Sequence, residues 1–325
     1  MRGNSMKMFK TCFPYLTEIE LPADMAELVE KKAFDGLTDS ARSGFGWSKI
    51  VPDVRMIISD GRALLLYRKS ERVENRAAVQ QLVEERQKKA EENGIVVSDD
   101  LLREFEHTAT NEIIRFAPLK TWSAYILICP VEKHIYVSAA NAAKCEDALS
   151  LLRKTLGSLY ATPWGFGGLE ATVLSDHLSC EAGKTNYYPL PDSLIISPFG
   201  KTIFTGSDSS LKGTFDGVGI NSPEAKSLIS GMKIRSVEMA FVERPADGQL
   251  KNLAEFSLHI PANGNLHFKG YDYDNDERMS EEEADDAQHV YAVEMLLVAS
   301  YTPQIMRNLA TFFGVADDYN FMVQG

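Results

Sequence analysis

Two hydrophobic periods alternate along the chain. Strict alternation, or a short continuous apolar run, predicts a strand; apolar residues at three- and four-residue steps predict a helix. Residues 9–21 alternate as a strand, with Pro14 indicating an edge or a bend. Pro22-Ala23-Asp24 opens a helix to Lys32 whose Met25, Leu28 and Val29 share a face. Residues 36–51 read as loop. Residues 55–59 and 63–67 flank Asp60-Gly61, a two-residue hairpin signal. Residues 70–92 predict a polar helix with a thin stripe of Val79, Leu82 and Val83; Asn93-Gly94 ends it, and Ser98-Asp99-Asp100 caps a second helix to Arg115. This pair carries too little apolar surface for a large core, so it is expected to protrude as a helical finger. Residues 122–129 and 134–137 predict another hairpin. It feeds a helix capped by Asn141, with Ala148, Leu149, Leu152, Leu156 and Leu159 on one face and Arg153 and Lys154 late, where the helix dipole favours cations. The stretch 133–159 is expected to organise the rest.

Beyond it, residues 163–168 form a connector without a phosphate-cradling fingerprint. From Leu169 strands and turns are expected. Ser222-Pro223-Glu224 starts a helix to about Ser230. Residues 232–242, 253–260 and 266–271 predict strands joined by Ala246-Asp247-Gly248-Gln249 and Ala262-Asn263-Gly264-Asn265. Residues 281–313 predict a final helix with Val290, Val293, Leu296, Leu297 and Tyr301 inward and a break or kink at Pro303. The fold class is α+β: antiparallel sheets with packed helices, a protruding helical finger and a long C-terminal helix.

At 325 residues the chain calls for two or three subdomains. The longest apolar run, residues 124–129, is far too short to span a bilayer, and residues 1–10 lack the apolar segment of a secretory signal. Cys12, Cys129, Cys145 and Cys180 have no metal or redox spacing and are expected as buried free thiols in a cytoplasmic protein. A net charge of −12 argues against a uniformly basic surface. The charge is uneven, however: nine acids against Arg278 fall within residues 272–286, leaving −4 for the rest. A local basic groove is therefore compatible with the composition.

Within that acidic stretch, Asp272, Asp274, Asp276, Ser280 and Glu283 match five positions of an EF-hand loop, but Glu277 stands where the turn needs glycine. The expectation is an acidic linker, with no metal assigned. One contiguous acidic loop is also poor support for a two-metal nuclease. The six histidines are dispersed and no nucleophile elbow is present, so no catalytic residue and no cofactor is expected.

Residues 142–159, AAKCEDALSLLRKTLGSL, resemble the central signature of the RdgC family, bacterial recombination-associated DNA-binding proteins. The resemblance extends through Phe9-Lys10, Ala33-Phe34, Gly46-Trp47, Leu65-Leu66-Tyr67-Arg68-Lys69, Pro163, residues 169–183, Asn221-Ser222-Pro223-Glu224 and Asp247-Gly248-Gln249-Leu250-Lys251 to a helix ending near Gly314. Residues 184–212 match poorly. The resemblance implies a central region (1–69 and 120–165), a finger or tip (70–119) and a base (166–325). It implies a non-catalytic, sequence-independent, nucleoid-associated protein whose elongated subunits close as a homodimeric ring around double-stranded DNA, limiting access of the RecA recombinase, with no membrane partner.

Cations for such a ring are Arg68, Lys69, Arg72, Arg76, Arg115 and Lys120 near the finger, Lys144, Arg153 and Lys154 on the central helix, and Lys212, Lys226, Lys233 and Arg235 beyond. Together they would neutralise phosphates without reading bases. Phe116 resembles the aromatic of the finger contact between subunits, and Phe312 and Phe313 are expected at the other contact. One departure stands out: Asp216, Gly217 and Val218 occupy positions where the family has lysines and a glutamine. Two alternatives stay open: a metal-dependent exonuclease using residues 272–283, and a family member that has lost DNA binding and serves as a protein-interaction module.

Overall fold

Strand β1 (Thr11–Thr17) joins two halves of one antiparallel sheet. A computed structural model of the chain describes residues 8–38, 41–179, 188–206, 211–219, 222–229, 231–245, 248–262, 265–273 and 287–316. In it α1 (Met25–Glu30), β2 (Ser43–Ser48), β3 (Met56–Ser59) and β4 (Arg62–Arg72) follow β1. Next come α2 (Arg76–Glu92), α3 (Asp99–Phe116), β5 (Leu119–Cys129), β6 (His134–Ser138), α4 (Ala142–Leu156), β7 (Ala161–Pro163) and α5 (Leu169–Ser179). The remainder is β8 (Leu194–Ile196), β9 (Thr202–Thr205), β10 (Lys212–Phe215), α6 (Pro223–Ile229), β11 (Lys233–Glu243), β12 (Lys251–His259), β13 (His267–Asp272) and α7 (Ala287–Phe312). The strand order is β10-β9-β11-β12-β13-β1-β6-β5-β4-β2, with β3 on β4, β7 on β1 and β8 on β11. The fold class is α+β.

The expectation that 133–159 organises the chain is corrected: β6 and α4 occupy one half of the sheet, while β1 carries the continuity. Its first residues pair with β13, Phe13 to Leu16 pair with β6, and Tyr15 to Thr17 also pair with β7. Pro14 sits in mid-strand rather than at an edge. Its carbonyl accepts from the Trp164 amide (3.1 Å), on the side where the partner changes from β13 to β7. In an antiparallel ladder a residue's N–H and C=O point the same way, so the missing donor falls in that gap and costs no ladder bond.

Strands β4, β5 and β6 are buried on both faces, which is why they read as continuous apolar runs. One face packs under α1 and α4, where Phe13, Tyr15, Trp47, Leu65, Tyr67, Ile126 and Val137 meet Cys145, Ala148, Leu149 and Leu152. The Trp47 indole donates to the Thr155 hydroxyl (2.9 Å), pinning β2 to α4. Strand β2 lies where loop was expected, because its glycines break the strand pattern. Gly46 is nonetheless required: a Cβ there would stand 2.5 Å from the Lys32 carbonyl oxygen and 2.7 Å from Phe34 Cβ. That close approach lets the Phe34 amide donate to the Trp47 carbonyl (2.8 Å) and the Trp47 amide donate to the Lys32 carbonyl (2.9 Å).

The other face shares a core with α5, α7 and strands β8 to β13. Residues 169–179 form a helix instead of the expected strands. Its start is fixed by buried Glu170, whose carboxylate accepts the Phe166 amide, and Ala171, Val173, Leu174 and Leu178 pack inward. Helix α7 runs unbroken through Pro303. The proline penalty of about 3 kcal/mol is outweighed by the stripe Met295, Val298, Thr302, Ile305, Met306 and Leu309. Leu296, expected inward, is exposed, and Tyr301 is half-buried; the run Met295-Leu296-Leu297-Val298 gives periodicity no basis for choosing a face.

Helices α2 and α3 are inserted between β4 and β5. Asn75 caps α2 and Ser98 caps α3, so the first helix starts later than expected and β4 extends to Arg72. The pair has its own small cluster of Val79, Val83 and Ala109, with Leu82, Leu102, Phe105 and Ile113 against it. The Asp60-Gly61 hairpin forms as expected, with φ of 48° and 70° at its two residues.

Candidate nucleic-acid interface

The expected cations separate into two clusters and a scaffold. Arg72 belongs to the scaffold. Its guanidinium donates to the carbonyls of Arg115 (3.0 Å), Ala117 (3.4 Å) and Ala41 (3.2 Å), while the neighbouring Val73 amide donates to Pro118 (2.9 Å). Arg72 therefore clamps the return of α3 onto the sheet. Arg235 is similar, donating to the Thr205 hydroxyl (2.9 Å) and the Ile260 carbonyl (3.5 Å). Arg153 donates to the Leu159 carbonyl (3.3 Å) just past the end of α4.

The first cluster lies along α4. Antiparallel register sets Phe45 opposite Lys69 and Lys69 opposite Trp122 on the face that α4 crosses. Lys69 pairs with Asp147 (3.1 Å), and Lys144 and Lys154 stand over the rings of Trp122 (4.9 Å) and Phe45 (5.9 Å). One row nearer the finger, Lys120 faces Glu71 (3.6 Å). Arg68 is half-buried on the opposite face of β4, and Arg76 and Arg115 are exposed on the finger helices.

The second cluster lies at the outer end of the sheet. Thr205 on β9 is opposite both Lys212 on β10 and Lys233 on β11, which puts the two exposed lysines in one cross-strand row beside Arg235. Lys226 lies half-buried on α6. Asp216 is exposed and faces Lys201 at 3.9 Å, and the Gly217 amide donates to the Phe199 carbonyl (3.1 Å). The departing segment thus packs on the 197–200 turn, and its charge is met by Lys201.

Of the three aromatic residues expected between subunits, Phe116 is 89% exposed at the base of the finger. Phe312 and Phe313 are each 1% exposed, packed against each other and against His177 and Phe166. Both are core residues, so their expected place at an interface is corrected: the last turn of α7 turns its aromatics inward.

Sequence reading missed the histidines. His259 and His267 are opposite each other on β12 and β13, stacked at 5.1 Å, with Phe13 stacked on His267 at 4.2 Å and Ser236 beside His259 at 3.3 Å. Burial pushes His267 down to about 4 and His259 down to about 3, helped at both by Lys269. Only the spacing of two residues across a tight strand pair signals this, and it needs the register first. Cys12, Cys129 and Cys145 are buried free thiols, with burial holding each thiol well above its usual range; Cys180 lies outside the described residues, as do Asp274, Asp276, Ser280 and Glu283 of the acidic stretch. Among the described residues no group of three His, Cys, Asp or Glu is placed to hold a metal, and no helix is long and apolar enough to cross a membrane.

Together these elements define an α+β protein with a continuous antiparallel sheet, a two-helix projection and cation clusters on its outer surfaces. The chain belongs to the RdgC family: residues 8–187 match the family model described as "Putative exonuclease, RdgC". It is similar to the recombination-associated protein RdgC of Pasteurella multocida, at 27% identity over 63% of this chain and 66% of the relative. It is also similar to the proteins of that name from Colwellia psychrerythraea (26%, over 42% of this chain and 46% of the relative) and Shewanella loihica (29%, over 50% and 54%). The chain thus spans between about half and two thirds of the length of these curated relatives.

Proposed function

We propose that the protein acts in DNA recombination as a non-catalytic, sequence-independent binder of double-stranded DNA, closing as a homodimer around the duplex and limiting access of the RecA recombinase. The proposal keeps the finger, central and base regions as the parts of that ring. It is supported by family membership and carried by one observation: Lys144, Lys154, Lys212 and Lys233 have no carboxylate partner among the described residues. Cations left without carboxylate partners in a chain of net charge −12 are suited to phosphates. Lys120, Arg76 and Arg115 add exposed charge near the finger.

Electrophoretic mobility shift on duplexes of unrelated sequence, at several salt concentrations, tests this reading. Binding should be equal across sequences and fall steeply with salt, each phosphate contact adding about −0.9 to the slope of log affinity against log salt. Lys154→Ala and Lys212→Ala should each flatten the slope by roughly one unit, and Asp216→Lys should tighten binding. No shift at low salt would leave the protein-interaction reading standing. The family model's description favours a second reading, metal-dependent exonuclease activity. Incubation of linear duplex and single strands with Mg²⁺ or Mn²⁺ should return intact DNA; degradation abolished by Asp274→Ala and Glu283→Ala would establish the nuclease instead.

A further inference from the structure

The row Phe45–Lys69–Trp122 carries more than charge. The next row along the same face, Trp47–Tyr67–Ala124, is sealed under α4. The Phe45 row projects past the helix toward the finger: Phe45 is 49% exposed and Trp122 is half-buried. Tyr67 links the two, with ring centroids 6.2 Å from Phe45 and 4.9 Å from Trp122. Lys144 and Lys154 are ten residues apart, about 15 Å along the helix axis, and stand over the two end rings. Asp147 and Glu71 also lie in this neighbourhood and hold Lys69 and Lys120, so the two lysines without carboxylate partners supply the net positive charge.

We propose that this row is a platform for the unpaired bases of a single nucleic-acid strand, with Phe45 and Trp122 offering ring faces and Lys144 and Lys154 neutralising the flanking phosphates. Aromatic side chains on sheet strands stack bases regardless of sequence, and cations beside them follow the backbone. The present lysine–ring contacts do not block this at Phe45, because Lys154 is exposed and an exposed ammonium over a ring is held more weakly than a stacked base, while Lys144 is half-buried over Trp122. Once displaced, the Lys154 ammonium stays beside the strand it would neutralise. A paired base hides its faces within the duplex stack, so the platform selects unpaired strands. The inference rests on the proposed nucleic-acid binding and adds to it a discrimination between strand forms.

Fluorescence anisotropy with the full chain, a labelled oligothymidine strand, a strand of equal length with abasic sites, and a blunt duplex tests the proposal. Phe45→Ala and Phe45→Leu should weaken oligothymidine binding about tenfold while changing duplex binding less than twofold, and Phe45→Trp should restore it. The wild-type preference for oligothymidine over the abasic strand should vanish in Phe45→Ala. Equal effects on strand and duplex, or none on either, with wild type still binding duplex, would overturn the platform alone. Failure of wild type to bind any probe at low salt would overturn the DNA-binding reading, and the platform with it.

Discussion

Helix α4 and the paired helices α2 and α3 are similar in length, 15, 17 and 18 residues, and all expose charged faces, yet opposite means hold them in place. Helix α4 lies on a strand surface already buried from behind, and its Cys145, Ala148, Leu149, Leu151 and Leu152 reach a core shared with strands β1, β2, β4, β5 and β6. The finger helices bury little beyond Val79, Val83 and Ala109 against each other. What fixes them is polar: the Arg86 guanidinium meets Glu112 (2.6 Å), the Thr108 hydroxyl and the Phe105 carbonyl, and the Arg72 clamp grips the base. Exposed ion pairs are worth little, so the finger is expected to open more readily than the sheet that carries it. An element meant to meet another surface can be held this way, since it keeps its apolar residues available: Phe116 and Leu119 at the base and Val96 at the tip are all exposed.

The largest effect separates the two regions directly. Leu149→Ala should cost about 2–5 kcal/mol of global stability in urea unfolding, because its cavity opens in a core that cannot collapse. Val83→Ala should cost less than about 2 kcal/mol, and hydrogen exchange should quicken within residues 76–116 while β4 to β6 keep their protection. Equal shifts of the unfolding midpoint would break the comparison and make the finger part of the cooperative core.

The same contrast explains what the sequence made legible. Buried strands such as Leu64-Leu65-Leu66 and Ile126-Leu127-Ile128 announce themselves, as does the stripe Ala148, Leu149, Leu152, because burial on a flat surface imposes one period. Helix caps at Ser98 and Asn141 are local chemistry and are equally visible, whereas the Asn75 cap is hidden in a polar stretch that reads as helix from residue 70. Gly46 misled, since its reason is the passage of residues 32–34, distant in sequence from β2's other neighbour. Helix α5 misled because Thr172 and Val173 favour strands locally while the core beneath decides. At the candidate site, the cations were readable as residues but not their grouping. Arg72 and Lys144 look alike in sequence, and only register shows that one clamps carbonyls while the other covers a ring.

A smaller effect sharpens the comparison through pH. Burial holds His134 at about 4, as it does His267, and His259 lies at about 3, all on strands of the sheet; the finger's only histidine, His107, is exposed. A folded imidazole pushed below the usual 6.5 stays neutral while the unfolded chain takes up the proton. Stability is then fully present above about pH 6.5 and is lost as pH falls toward 4, at about 1.4 kcal/mol per pH unit for each displaced histidine, with the partly exposed His259 contributing less. Urea midpoints should fall from pH 7 to pH 5, and His267→Phe, which preserves the stack on Phe13, should flatten that fall. An unchanged midpoint would mean the imidazoles are hydrated enough to titrate normally.

The smallest effect on stability belongs to Phe116, and it carries the most information about assembly. In sequence it stood beside Phe312 and Phe313 as a contact between copies; the fold buries those two and leaves Phe116 in solvent. A large exposed ring at the mouth of a weakly held finger has nothing to lose within its own chain, so Phe116→Ser should change unfolding by no more than about 0.5 kcal/mol. Phe312→Ser, by contrast, should cost about 3–5 kcal/mol as a core aromatic lost. If the finger closes the proposed homodimer, Phe116→Ser should nonetheless raise the dissociation constant of self-association measured by sedimentation, because an aromatic anchor at the centre of a contact carries a large share of its energy. A monomeric wild type at micromolar concentration, or self-association untouched by the substitution, would remove the finger contact. A drop in unfolding midpoint for monomeric Phe116→Ser would instead show that the finger packs more tightly than its small cluster of Val79, Val83 and Ala109 allows.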